Sequence, residues 1–294
     1  MRDDLYYDWS ARKPLSKEDG CRYDNWPLEH ANYPFALHPQ GFPVFLKPHH
    51  LQEYDEYSQG DPHGVKNGLT GEFQKRRIAC TLHLLELAAA QKSGQIRLLD
   101  LGCGEGHITN KMRQALPNAQ ISALDRSLSA VIYAATHYPG IDFCAADAYD
   151  PPYLEDHFDI VVCNNIWEDV ADPVFLFSRV TRIIEPGGHL IISTPSRYRL
   201  ENLLRVLLGR PAVLAAPNHV TEYSVGQVLE QLAFGGFDVE KIYSRPKKEK
   251  LSTISALIAY KIVKPLLSAY LAVTKSHHCL ESTVFFLARK NAPS

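Results

Sequence analysis

Four carboxylates, three glycines and one histidine carry most of the chemistry this sequence can do. Asp100 closes an apolar run, Ile96 to Leu99, and Gly102, Gly104 and Gly106 follow it at every second position. Only glycine lets a backbone turn that sharply and leaves bare main chain for a ligand to approach. A helical pattern begins at His107, so the loop aims free N–H groups and the positive end of a helix dipole at whatever binds there. Asp125 ends a second apolar run, Ala119 to Leu124, 25 residues after Asp100. A carboxylate at that point can accept hydrogen bonds from both hydroxyls of a ribose. Asp147-Ala148 ends a third run, Ile141 to Ala146, and Asn164 ends a fourth, Phe158 to Cys163. Each acid taken alone reads as a helix cap or turn residue. Together they fall at the C-terminal ends of successive strands, the edge where open α/β sheets bind ligands.

The elements that must position these residues alternate. Helical patterns over 72–90, 107–116, 197–208 and 224–234 separate the strand-like runs, and a strand at His189 to Ser193 follows Glu185-Pro186-Gly187-Gly188. Further strands are expected at 237–244 and 282–289. Such alternation specifies a mostly parallel sheet with right-handed crossovers. The glycine loop by itself would also suit a nicotinamide dinucleotide, whose fingerprint is Gly-x-Gly-x-x-Gly; the downstream spacing separates the two readings.

The ordered set, from Asp100-Leu101-Gly102-Cys103-Gly104-Glu105-Gly106 through FDIVVCNNIWEDVADP to RVTRIIEPGGHLIISTPS, resembles the class I S-adenosylmethionine-dependent methyltransferase family over about residues 72–245. Its quinone, polysaccharide and small-molecule members are the nearest in pattern. The resemblance implies a Rossmann-like, doubly wound, seven-stranded α/β sheet with an antiparallel last strand, and S-adenosylmethionine as cofactor. Gly102, Gly104 and Gly106 would then lie against its amino-acid end, with Asp100 taking the ammonium. Asp125 would hold the ribose, Asp147 and Ala148 the adenine, and Asn164 would border the pocket. Arg126, beside the ribose acid, could stack on adenine or point to solvent.

Composition bounds the partners. Across 294 residues a formal net charge of −2 shows no basic footprint, which argues against a dedicated nucleic-acid binder. The six cysteines have no Cys-x-x-Cys spacing, so neither a disulfide framework nor a zinc site is expected, and no metal is assigned. His277-His278-Cys279 lacks a partner cluster and reads as a turn. The N-terminus is charged and has no apolar signal core, so a cytoplasmic location is expected.

Two regions flank this core. Residues 1–70 are rich in Tyr, Trp, Phe and Pro with little periodicity; they read as an ordered arm that packs on the core and walls the substrate, or simply covers apolar surface. Residues 71–294 form the methyltransferase domain, with an insertion at 246–280. The stretch Leu251 to Val273 is apolar at helical spacing but broken by Lys261, Lys264 and Pro265, which makes it a poor membrane span. A cover over the active site, a homodimer face or a weak membrane-surface contact all suit it.

His219, in Pro217-Asn218-His219-Val220-Thr221-Glu222-Tyr223-Ser224, resembles the His…Glu-Tyr-Ser stretch that lies beside the acceptor pocket in family members, and is the first candidate for a catalytic base. Glu168 is the second catalytic candidate and, like Trp167, a second-line acceptor contact; a lone histidine is more often structural. Asp150-Pro151-Pro152-Tyr153 spells the motif of base-methylating enzymes but precedes the fourth strand instead of following it, and reads as a turn. The expected activity is methyl transfer to an O, N or C atom of a small-molecule or lipid-like acceptor. A nucleic-acid methyltransferase and an S-adenosylmethionine-binding regulator without transfer activity are the alternatives.

Overall fold

The computed structural model describes residues 1–2, 4–26, 30–53, 55–58, 60, 71–246, 254–276 and 278–292. Its N-terminal arm contains five two-residue strands, β1 (Tyr7–Asp8), β2 (Lys13–Pro14), β3 (Cys21–Arg22), β4 (Ala36–Leu37) and β5 (Pro43–Val44). Then come α1 (Glu72–Ala89), β6 (Arg97–Leu101), α2 (His107–Ala115), β7 (Gln120–Asp125), α3 (Leu128–His137), β8 (Asp142–Ala145) and β9 (Phe158–Asn164). The second half adds α4 (Pro173–Ile183), β10 (Ile184–Pro195), α5 (Leu200–Leu207), α6 (Val225–Phe234) and β11 (Phe237–Tyr243). A helical insertion, α7 (Ile254–Ile258), a π turn (Ala259–Val263) and α8 (Lys264–Val273), precedes the last strand, β12 (Thr283–Lys290).

The sheet runs β11-β12-β10-β9-β6-β7-β8-β5-β4-β3. Strands β6 to β10 pair in parallel, and β12 lies antiparallel between β10 and β11. The expected seven strands are therefore present, but the sheet has ten. The arm supplies the other three. Val44 of β5 pairs in parallel with Ala145 of β8, and the Phe45 amide donates to the Ala145 carbonyl at 2.8 Å. Two-residue strands leave no period for sequence patterning to detect, and an otherwise bare strand edge is covered by them.

Alternation along the strands builds a core on each face. Leu98, Ile160, Val162 and Ile191 point to the layer of α1, α2 and α3, whereas Leu99, Val161, Cys163 and Ile192 point to the layer of α4 and α6. The arm enters the second layer, where Leu5, Tyr6, Leu15 and Phe35 are all but inaccessible to solvent. Tyr6 stacks on Tyr153 at 5.5 Å, and the Tyr7 amide donates to the Pro152 carbonyl at 3.0 Å, so residues 150–153 anchor the arm. Trp167 also belongs to this core, its indole N–H donating to Gln231 Oε1 at 2.7 Å.

Helix starts follow local chemistry. Ser127 caps α3 by accepting from the Ala130 amide, Asp172 caps α4 ahead of Pro173, and Ser224 and Gln227 form a capping box on α6. Among the described residues no helix is long and apolar enough to cross a membrane.

Candidate cofactor and acceptor site

The glycine loop leaves β6 with three residues in the left-handed region: Gly102 at φ +73°, Gly104 at +53° and Gly106 at +75°. A Cβ on Gly102 would lie 2.2 Å from Ile166 Cδ1, and one on Gly104 would lie 2.6 Å from the Tyr57 phenol oxygen. Conformation and space thus both demand glycine there. The Gly102 and Cys103 amides donate to the Leu124 carbonyl at 2.8 and 3.0 Å, which ties the loop to the end of β7.

Asp100 is buried, and the Thr109 hydroxyl on α2 donates to it at 2.5 Å. Burial pushes its pKa up to about 7 against the pull of that hydrogen bond. Asp125 accepts from the Gly104 amide at 2.6 Å and from the Ser127 amide at 2.8 Å, one on each oxygen. Those bonds fix the carboxylate at the mouth of the glycine loop, and desolvation raises it to about 6. Asp147 accepts from the Tyr149 amide at 2.9 Å, with Ala148 half-buried beside it. Arg126 is half-exposed; it bonds Glu53 of the arm and lies 3.6 Å from Asp147. It clips arm to core.

Asn164 faces α1, with its Oδ1 accepting from Thr81 at 3.3 Å and from Ser193 at 3.0 Å. Asn165 next to it sits at φ +56° and donates to Glu168 Oε1 at 2.9 Å. Glu168 is buried, its Oε2 has no hydrogen-bond partner among the described residues, and burial raises its carboxyl to about 7. The Glu168 carbonyl accepts from the Val220 and Thr221 amides at 2.9 and 3.1 Å. This brings the His219 segment against the end of β9, beside Glu168 and Asp169. His219 Nδ1 is 3.0 Å from Glu222 Oε1, and Arg199 holds the other Glu222 oxygen at 2.6 Å. All three side chains are largely buried.

Three site residues were not read from the sequence. Arg77 on α1 has an Nε shut off from solvent and without a partner among the described residues, and burial pulls its pKa down against the charges of Asp100 and Glu168. Tyr57 of the arm lies over Gly104. Asp55 accepts from the Ser127 and Ser129 hydroxyls at 2.7 and 2.5 Å, fastening the arm to the start of α3. None has a local motif; only the folded chain brings them to the strand ends. Of the arm's described residues, Glu53, Asp55 and Tyr57 reach Arg126, α3 and the glycine loop, whereas β3 to β5 extend the sheet and Tyr6 and Phe35 enter the core.

These residues suit a zwitterionic cation. Asp100 and Asp125 are desolvated acids with raised pKa values, a state that a nearby positive charge relieves. Arg77, whose charge bears on Asp100, suits a carboxylate. Ammonium, sulfonium and carboxylate are the three charges of S-adenosylmethionine. No three of His, Cys, Asp and Glu lie close enough to hold a metal ion among the described residues. His277 is outside the described residues, and His278 Nε2 lies 2.9 Å from the Tyr198 carbonyl oxygen.

Residues 92–243 match the family model described as a methyltransferase domain. The chain is 30% identical over 140 residues to a malonyl-[acyl-carrier protein] O-methyltransferase of Bacillus cytotoxicus, covering 47% of this chain and 48% of that one. It is also 30% identical over 149 residues to a ubiquinone biosynthesis O-methyltransferase of Photorhabdus laumondii, covering 47% and 60%. The magnesium protoporphyrin IX methyltransferase of Synechocystis PCC 6803, solved with bound SAH, superposes with a TM-score of 0.51 at 14% identity, covering 79% of this chain and 90% of that one. The chain spans about half the length of the curated relatives it matches. The chain belongs to the methyltransferase domain family, with S-adenosylmethionine as methyl donor.

Proposed function

We propose that this protein methylates an oxygen atom of a small, lipid-like organic acceptor, with His219 as general base. The observation that carries the reading is the chain of contacts from Arg199 through Glu222 to His219. A buried carboxylate at Nδ1 fixes that nitrogen as the donor and leaves Nε2 as an acceptor. An imidazole so oriented can take the proton of a hydroxyl or carboxyl acceptor as the new bond forms. Glu168, poised near neutrality with a free Oε2, positions the acceptor by hydrogen bonding.

Bound S-adenosylmethionine supplies an electrophilic sulfonium methyl. The protein's share is alignment: Asp125 and the glycine loop fix the donor, while Glu168 and the 219–222 segment fix the acceptor. Exposed apolar side chains at Val213, Leu214 and Val220 border that segment and favour an organic acceptor over a polyanion. Relatives named for malonyl-carrier and ubiquinone O-methylation agree with oxygen as the target.

The test is transfer of labelled methyl from S-adenosylmethionine to a panel of phenolic, carboxylic and long-chain amphiphiles. His219→Asn should lower kcat about 100-fold or more with little change in donor affinity. Transfer to nitrogen, or full activity in His219→Asn, would overturn the assignment. Tight donor binding without transfer to any acceptor would favour a regulatory protein.

A further inference from the structure

The helical insertion carries a surface that the methyl-transfer site does not use. From Ile254 to Val273 no described residue is buried. Ile254, Leu257, Ile262, Leu266, Tyr270 and Val273 are instead exposed, Val273 to 82%. In a regular α-helix a row taken every fourth residue drifts by about 40° at each step. The π turn at Ala259–Val263 widens one turn and takes that drift back, so the exposed apolar positions before and after it stay in one stripe.

A second helix continues the surface. Val206, Leu207 and Leu208 at the end of α5 are exposed, Leu207 to 79%. The two helices are joined: Tyr260 donates to Glu201 at 3.3 Å, Lys264 pairs with Glu281 at 2.6 Å, and the Leu200 amide donates to the Leu280 carbonyl at 3.0 Å.

Charge selects what covers this face. Neither residues 202–221 nor residues 250–280 contain an aspartate or glutamate. They do contain Arg205, Arg210, Lys261, Lys264 and Lys275, of which Arg210, Lys261 and Lys275 are exposed. The bordering carboxylates are engaged within the chain, Glu201 with Arg199 and Tyr260 and Glu281 with Lys264, so a second copy docked face to face would set the exposed Arg210, Lys261 and Lys275 against their own images. Lys261, Lys264 and Pro265 interrupt the apolar run, and no helix among the described residues is long and apolar enough to cross a membrane. An apolar stripe flanked by exposed cations is the pattern of helices that lie in the interface of an anionic membrane.

We propose that α5 and the 254–273 helix together dock this protein onto an anionic lipid bilayer surface, with the apolar stripe at the headgroup boundary and the cations on lipid phosphates. The face adjoins Val213 and Leu214, whose loop is tied to Glu222 through the Ala215 amide. Docking would therefore present the acceptor side of the site to the membrane.

The test is co-sedimentation of the full chain with phosphatidylcholine vesicles, with and without about one third phosphatidylglycerol. Binding should be at least tenfold stronger with the anionic lipid and should weaken as salt is raised to about 0.5 M. Leu207→Glu with Ile262→Glu should cut partitioning at least tenfold, and Lys261→Glu should cut only the anionic preference. These side chains are exposed, so the variants should keep the parent's melting temperature and its calorimetric titration with S-adenosylmethionine. Failure to sediment with either vesicle, or unchanged binding by the double variant, would overturn the proposal. So would a dimer in sedimentation velocity that Ile262→Glu dissociates. A chain that binds vesicles but methylates nothing would keep this inference and sink the acceptor reading.

Discussion

Asp125 serves two masters, the loop and the ligand. Its oxygens already hold the Gly104 and Ser127 amides, so removing the side chain loosens the loop as well as the ribose contact. Asp125→Ala should weaken S-adenosylmethionine binding about 10- to 100-fold in a calorimetric titration, the range that losing charge-assisted hydrogen bonds implies. Unchanged affinity would remove Asp125 from the site. Burial also raises Asp100 to about 7 and Asp125 to about 6, above the 3.8 of an unperturbed aspartate. Between those limits the folded chain binds more protons than the unfolded one. This contribution to stability is therefore complete below the lower value and lost as pH rises through 6 to 7. Thermal melts of the ligand-free protein should show Tm falling over that window, with a shallower slope in Asp100→Asn. An equal slope in the variant would contradict the assignment. The acids were legible in the sequence because each ends an apolar run. Arg77 was not, since nothing local distinguishes an arginine aimed at Asp100 from one on a solvated helix face.

At the scale of elements, the strand–loop–helix unit from β6 to α2 is the most demanding piece of the fold. Gly102→Ala places a methyl against Ile166 at a left-handed backbone position, and should cost about 1–3 kcal/mol in chemical denaturation. Donor binding should fall with it; a variant that keeps both stability and affinity would show that the loop tolerates a Cβ. The long strands and helices of this unit were readable because their periods repeat over many residues. The segment at Asp55 and Tyr57 was not, because its order comes from hydrogen bonds to Ser127 and Ser129, 72 to 74 residues away. The 219–222 segment lies between: a motif marked it, but the Arg199 contact that steadies Glu222 appears only in the fold.

At the scale of the molecule, the arm is part of the core. Phe35 is fully buried and packs on Phe45 at 5.3 Å. Phe35→Ala should destabilise the single cooperative transition by about 3–5 kcal/mol. Two separate transitions, or no loss, would show instead that the arm is an independent appendage. The central strands were readable as apolar runs, with the seven-stranded sheet implied by the family resemblance, and the three further strands were not expected, since a pair of residues has no pattern of its own. Their placement sets an order of events during synthesis. β5 must wait for β8, whose Ala145 lies 101 residues beyond Val44. At the pace of translation that interval lasts roughly 5–20 s. A segment made before the sheet is thus among the last to find its place, and its aromatic side chains must be kept from wrong partners until the sheet edge they cover exists.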